Sequence, residues 1–185
     1  MPELSAGELK SRAAAIKVVL MDVDGVLTSG LIYHFVDSTG ELVEFKGIHA
    51  QDSIALSWLA KAGLKTGIIS GRQSKGVEER MKMLGATFIY QHRLDKLNVF
   101  SEICRTAKVQ PSETMYLGDD LPDIPVLRAA GLGVAVANAR PEVQAAAGWV
   151  TKARGGEGAV REAAEFLLSA QGRWQSVLDQ FQAIG

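Results

Sequence analysis

Cysteine is almost absent from this chain. Cys104 stands alone among 185 residues, so no internal disulfide can staple the fold, and the sequence suits a reducing compartment. Neither sign of charge is in excess. Twenty Lys and Arg face 21 Asp and Glu, a net charge of -1, which leaves no overall basic field to draw in nucleic acid or an anionic membrane. No apolar run reaches the roughly 18 residues expected of a membrane span, and residues 1–15 mix acids with small side chains and show no hydrophobic signal segment. The expectation is a cytoplasmic protein with no nucleic-acid or membrane partner. The three histidines, His34, His49 and His92, show no metal-ligand spacing. Internal repeats and low-complexity tracts are missing too. With 47% hydrophobic residues, 1–185 has the length for one domain with a sizeable core and is too short for two ordinary ones.

What is present is concentrated first in VVLMDVDGVLTS at 18–29. Its opening residues have the unbroken apolar character of a strand buried on both faces, as in a parallel sheet covered by helices. Gly25 ends the strand. Asp22 and Asp24 are two apart, so strand periodicity points both carboxylates one way, at the strand end where open α/β sheets bind ligands. A second acidic cluster, Asp119, Asp120 and Asp123, follows a second apolar strand in MYLGDDLPD. Several carboxylates at one sheet edge repel one another and lose hydration unless a hard divalent cation neutralises them, and an oxygen-only site with few ligands suits Mg²⁺. Between the clusters lie Ser70-Gly71-Arg72 at the end of another strand, 64–69, and Lys96 near the start of a helix.

These residues carry a resemblance to the haloacid dehalogenase superfamily of aspartate-nucleophile phosphatases. Asp22-Val23-Asp24-Gly25-Val26-Leu27-Thr28 resembles the first motif, Ser70 the second, Lys96 the third, and Gly118-Asp119-Asp120 with Asp123 the fourth, in that order. The resemblance covers about 17–168. It implies Asp22 as nucleophile, Asp24 as general acid and base, and Mg²⁺ held by Asp22, Asp119 and the backbone carbonyl of Asp24. Asp120 and Asp123 either touch the metal or shape the shell around its ligands. Ser70 and the Gly71 amide are candidates for the phosphoryl oxygens. Lys96 would neutralise charge there, with a solvated surface lysine as the plain alternative, and Arg72 is a phosphate or substrate contact or a surface ion pair.

The rest of the chain alternates strand with helix, which argues for a doubly wound, mostly parallel Rossmann-like sheet. Residues 31–46 read as a β-hairpin around Asp37-Ser38-Thr39-Gly40, with more apolar surface than an isolated hairpin buries. Helices are expected over 51–62, over the stretch carrying Val77, Met81 and Leu84, and along a stripe of Leu94, Leu97, Phe100, Ile103, Cys104 and Ala107. That stripe places Lys96 off the buried face. Strands are expected at 87–90, 114–117 and 132–136, with 149–150 as an edge. Glycine-rich 154–158 breaks the pattern before helices at 159–170 and 174–184.

About 40 residues separate Thr28 from Ser70, and about 25 separate Ser70 from Lys96, which leaves no room for a large substrate-selecting cap. The chain therefore resembles the capless branch, and within it tetrameric enzymes in which a neighbour's hairpin helps cover each site. The resemblance implies a homotetramer acting on a small phosphorylated sugar acid in lipopolysaccharide biosynthesis, 3-deoxy-D-manno-octulosonate 8-phosphate above all. Another nonulosonate or sugar phosphate is the alternative, and a phospho-accepting receiver-like signalling domain the non-enzymatic one. Arg72, Arg154 and Arg161 are candidates for the pocket mouth, and His34 or His49 for meeting substrate. Relatives typically carry an Asp-Gly pair before the first helix, whereas here Asp52 is followed by Ser53.

Overall fold

The computed structural model describes residues 4–181. Helix α1 (Ala6–Ala14) is started by a reciprocal cap in which Ser5 and Glu8 satisfy each other's backbone N–H groups. It leads to strand β1 (Val18–Met21), buried at every position. A strand buried on both faces must be covered by helices on both, and β1 has β4 (Lys65–Ile69) on one side and β6 (Thr114–Gly118) on the other, both parallel. With β5 (Phe88–Tyr90), β7 (Leu132–Ala135) and β8 (Trp149–Val150) the sheet has six strands in the order β5-β4-β1-β6-β7-β8. The short strand at 149–150 does lie at the edge. After β1 the chain builds outward through β4 and β5, then returns to the other flank of β1 to build β6, β7 and β8. The reversal falls between β1 and β6, where a crevice opens at the carboxyl ends of the strands.

The hairpin expected at 31–46 is present as β2 (Tyr33–Val36) and β3 (Leu42–Phe45), paired only with each other. Its turn is held by the Asp37 side chain, which accepts from the Thr39 and Glu41 amides. Helix α2 (Ala50–Lys61) packs on α7 (Ala159–Ala170), and α7 on α1 and α8 (Trp174–Gln180). A second set joins α4 (Lys96–Ala107) to α5 (Ile124–Ala129) and α5 to α6 (Pro141–Ala146). Helix α3 (Lys75–Met83) buries Val77 and Met81. The expected helix at 174–184 ends at Gln180 within the described residues, and 182–184 lie outside them. No helix among the described residues is long and apolar enough to cross a membrane.

Three side chains depart from the periodic reading. Leu94 precedes α4 and is 87% exposed, and Leu97 is 40% exposed. Lys96, expected off the buried face, is only 6% exposed. Burial of that ammonium is compensated by two carboxylates, which no helical period can report. Asp52 is fully buried. It accepts from the amides of Gly158 (3.2 Å) and Arg161 (2.8 Å), satisfying donors that the first turn of α7 would otherwise leave unpaired. This residue, which marks the departure from the usual Asp-Gly pair, therefore ties α2 to α7.

Candidate active site

The chain leaves β1 through a single wide turn, closed by the Thr28 N–H on the Val23 carbonyl at 2.9 Å. Gly25 sits in it at φ 94°. A Cβ there would lie 2.1 Å from Asp119 Oδ2, so glycine is required both by the left-handed backbone and by the close approach of the second acidic loop. Asp22 is anchored by its N–H on the Leu117 carbonyl (3.0 Å), a bond from the end of β1 to β6. Its Oδ1 lies 2.9 Å from Lys96 Nζ.

Asp22, Asp24, Ser70 and Gly71 line one open cleft of about 360 Å³ with Arg72, Lys96, Asp119 and Asp120. Three strand ends and the start of α4 thus bring together every candidate site residue of the four motifs except Asp123, which lies beneath, fully buried. Oxygens of Asp22, Asp119 and Asp123 lie within 4.8 Å of one another. The three are not equivalent. Asp123 Oδ1 accepts from Lys96 Nζ and from the Tyr116 hydroxyl, each at 2.7 Å, and Oδ2 accepts from the amides of Asp119 (3.0 Å) and Asp120 (3.2 Å). Its lone pairs are committed, so it supports the site from below. Asp119 Oδ1 is buried with no hydrogen-bond partner, an arrangement that costs free energy unless something outside the chain meets it. Asp120 turns aside and accepts from the Leu121 amide at 2.8 Å.

Electrostatics follow from this crowding. Burial lifts the Asp22 carboxyl to about 6 against the pull of Lys96, with the Asp123 charge adding to the rise. Burial, then the charges of Asp22, Asp123 and Asp120, lift Asp119 to about 7. A divalent cation between Asp22 and Asp119 would relieve both, and the unpartnered Asp119 oxygen beside a carboxylate pair is a donor set that fits one of the hard, oxygen-seeking metals.

Around this centre, the Ser70 backbone is fixed by its N–H on the Tyr90 carbonyl (2.9 Å) and by the Arg93 N–H on its own carbonyl (3.0 Å). Its Oγ accepts from the Arg72 amide at 3.2 Å, which leaves the hydroxyl proton free to donate into the cleft. The Arg72 guanidinium reaches Glu44 at 2.9 Å.

Two groups at the centre carry no signal in the sequence. Lys46, just after β3, has a side chain only 1% exposed, with Nζ 2.8 Å and 3.0 Å from the two oxygens of Asp24 and 3.2 Å from Glu44. The hairpin thereby reaches the first acidic turn. Tyr116 is the other, a buried phenol on β6 that must find a hydrogen-bond partner, here Asp123.

The remaining candidates fall elsewhere. Arg161 lies over the Trp58 ring at 4.8 Å and donates to Glu165, inside the packing of α2 and α7 and away from the cleft. Arg154 is 62% exposed, 3.9 Å from Glu157. His34 sits 3.6 Å from Glu44, and His49 has a buried Nδ1 with no partner. Neither lines the cleft.

A parallel sheet carrying paired aspartates at the end of β1, a hydroxyl at the end of β4, and a buried lysine meeting an aspartate loop after β6 defines a haloacid dehalogenase-like hydrolase. The profile of that family matches 84–162. The chain is 41% identical to the 3-deoxy-D-manno-octulosonate 8-phosphate phosphatase of Yersinia pestis over 166 residues, 90% of this chain and 87% of the relative. Among solved structures it resembles a probable YrbI family phosphatase from Pseudomonas syringae pv. phaseolica (TM-score 0.91, 42% identity, 97% of this chain and 99% of the other). It also resembles the 3-deoxy-D-manno-octulosonate 8-phosphate phosphatase of Moraxella catarrhalis, crystallised with a magnesium ion, a phosphate ion and a KDO molecule (TM-score 0.90, 36% identity, 96% and 100%). This chain belongs to the family of the 3-deoxy-D-manno-octulosonate 8-phosphate phosphatases.

Proposed function

We infer that the chain is a Mg²⁺-dependent phosphatase that hydrolyses 3-deoxy-D-manno-octulosonate 8-phosphate to 3-deoxy-D-manno-octulosonate and phosphate, a step in lipopolysaccharide biosynthesis. The observation that carries this is the convergence of Asp22 with Asp119, whose Oδ1 has no partner, beside buried Lys96. Magnesium, phosphate and KDO in the Moraxella catarrhalis structure support it.

Asp22 and Asp119, with the backbone carbonyl of Asp24, would hold Mg²⁺. When bound, the ion neutralises carboxylate charge and polarises a phosphoryl oxygen. Asp22 attacks phosphorus in line, breaking the bond to the sugar oxygen and forming an aspartyl-phosphate, so that one difficult displacement becomes two easier ones. Asp24 gives its proton to the departing alkoxide and then takes one from the water that releases phosphate, a role worth roughly 10²- to 10⁴-fold. Lys96 holds Asp22 Oδ1 in position and offsets its charge. The Ser70 hydroxyl and the Gly71 amide donate to the phosphoryl oxygens, where charge builds in the transition state. Arg72, half exposed at the rim, meets the rest of the anionic substrate.

The chain is read as one phosphatase domain, with the hairpin at about 31–46 as an insert and the segments at about 154–185 closing it. Its assembly is read as a homotetramer. On the hairpin Tyr33, Phe35, Val36, Leu42 and Phe45 are each between 49% and 68% exposed, an apolar surface larger than an isolated ribbon leaves in water. The cytoplasmic reading rests on composition, with the lone thiol buried.

Phosphate release measured over a panel of sugar phosphates with Mg²⁺ tests this reading. Steady turnover, fastest on 3-deoxy-D-manno-octulosonate 8-phosphate and abolished by a chelator, is expected. One phosphate trapped per chain without turnover would make the protein a receiver-like domain and sink it.

A further inference from the structure

The loop after β7 touches both acidic turns without lining the cleft. Three of its groups bond to them. The Val136 N–H donates to the Gly118 carbonyl (3.2 Å) and the Arg140 N–H to the Asp119 carbonyl (3.0 Å). Between these, Asn138 Nδ2 donates to the Gly25 carbonyl at 3.2 Å, and Asn138 Oδ1 accepts from the Gly155 amide at 2.6 Å. One side chain thus joins the first acidic turn to the glycine-rich strap at 154–158, while its own backbone neighbours grip the second.

The chemistry of the position is specific. The Gly25 carbonyl requires a donor and the Gly155 N–H an acceptor, which assigns the amide orientation and demands a side chain offering both. The strap is pressed close. A Cβ on Gly155 would fall 1.7 Å from the Gly25 oxygen, and the Gly156 N–H donates to the Val26 carbonyl at 2.9 Å. On its other side Gly25 abuts Asp119, as its missing Cβ shows. The turn that presents the Asp24 carbonyl is therefore clamped between the strap and the Asp119 loop.

We propose that Asn138 is a positioning residue that sets the separation of the two carboxylate-bearing turns, and through it the affinity of the site for a divalent cation. This rests on the magnesium-dependent reading above. Groups that orient metal ligands from behind contribute about 10- to 100-fold in affinity or activity, and a loss of that size is expected here. Asn138 does not touch the reacting atoms, so the Michaelis constant for substrate at saturating Mg²⁺ should stay near the wild-type value.

The experiment is Mg²⁺ titration by calorimetry of metal-free wild-type protein and of Asn138→Leu, close in size but with neither donor, acceptor nor charge, without substrate, with kcat and KM then measured across Mg²⁺ concentrations. The variant should bind Mg²⁺ at least about 10-fold more weakly, and raised Mg²⁺ should restore its kcat. Equal Mg²⁺ affinity in a folded variant overturns the proposal. As a check independent of the variant's folding, Mg²⁺ should slow hydrogen exchange at the Gly155 and Gly156 amides of the wild type, because coupling between two sites is reciprocal. Exchange there indifferent to Mg²⁺ would also overturn it. A wild type that neither binds Mg²⁺ nor turns over sinks the functional reading itself, whereas an active wild type matched by its variant sinks only the role of Asn138.

Discussion

The hydroxyl of Tyr116 donates to Oδ1 of Asp123 at 2.7 Å, and both residues are fully buried. Burial and the charges of Asp123, Asp22 and Asp119 push the phenol well above its usual range, so it stays a donor throughout the working pH range. Tyr116 and Lys96 together hold one oxygen of Asp123, whose other oxygen grips the amides of the Asp119 loop. The third residue of the acidic cluster is thereby spent on geometry, which keeps Asp119 at the cleft.

Tyr116→Phe removes that donor while preserving the ring. Loss of a buried hydrogen bond to a charged group should lower stability by about 1–3 kcal/mol, read by urea unfolding of the metal-free protein. Activity should fall as well, because the loop bearing Asp119 loses its support. Unchanged stability and turnover would show that Lys96 and the loop amides suffice.

Asp22→Asn keeps shape and a hydrogen-bonding side chain but removes the proposed nucleophile. Phosphate release should drop below detection while circular dichroism and the size of the assembly stay as in the wild type. Asp24→Asn should cost less, roughly 10²- to 10⁴-fold, in keeping with a proton-transfer role. Retained turnover in Asp22→Asn would displace that residue from the chemistry.

Metal-free stability should fall as pH rises from about 5 to about 8. Asp22 and Asp119 have folded-state pKa values raised to about 6 and about 7, above the roughly 4 of an unfolded aspartate. A raised carboxyl pKa contributes stability that is complete below the unfolded value and is lost as pH climbs through the folded one. Carboxyls held low, such as Glu44, Glu113 and Asp37, act in the opposite sense but below this window. Thermal melts with a chelator should therefore drop toward pH 8, and Mg²⁺ should flatten the decline. A melting temperature that climbs across the same range without metal would contradict the assignment.

Phe35→Asp puts a charge on the exposed hairpin face, where Tyr33 stacks on Phe45 with ring centroids 5.2 Å apart and Phe35 meets Phe45 at 6.0 Å. Light scattering should report a smaller species than the wild type. Activity should fall with the assembly if a neighbour covers the site. An unchanged mass would show that this face does not mediate the proposed assembly.

The strands and their order of use were legible because buried parallel strands are written as short, unbroken apolar runs, and the residues that end them, Asp22, Ser70 and Asp119, necessarily reach one sheet edge. Helical stripes were legible where they met the core, at Phe100, Ile103 and Cys104. They misled at Leu94, which precedes α4, and at Lys96, whose burial depends on Asp22 and Asp123, groups distant in the chain. Lys46, Tyr116 and Asn138 were illegible for the same reason. Each acts through a partner 22, 7 or 113 residues away, and a side chain's type does not name its partner.

By itself, then, the sequence determined which residue types stand at the strand ends, since unbroken apolar runs and the polar turns that follow them are local properties of the chain. Only the tertiary structure decided their division of labour. Asp123 is consumed by four hydrogen bonds, Asp119 keeps an oxygen free, and the hairpin brings a lysine to Asp24. Those outcomes depend on distances across the sheet, where hydrogen-bond geometry and burial act between residues that the order of the chain does not relate.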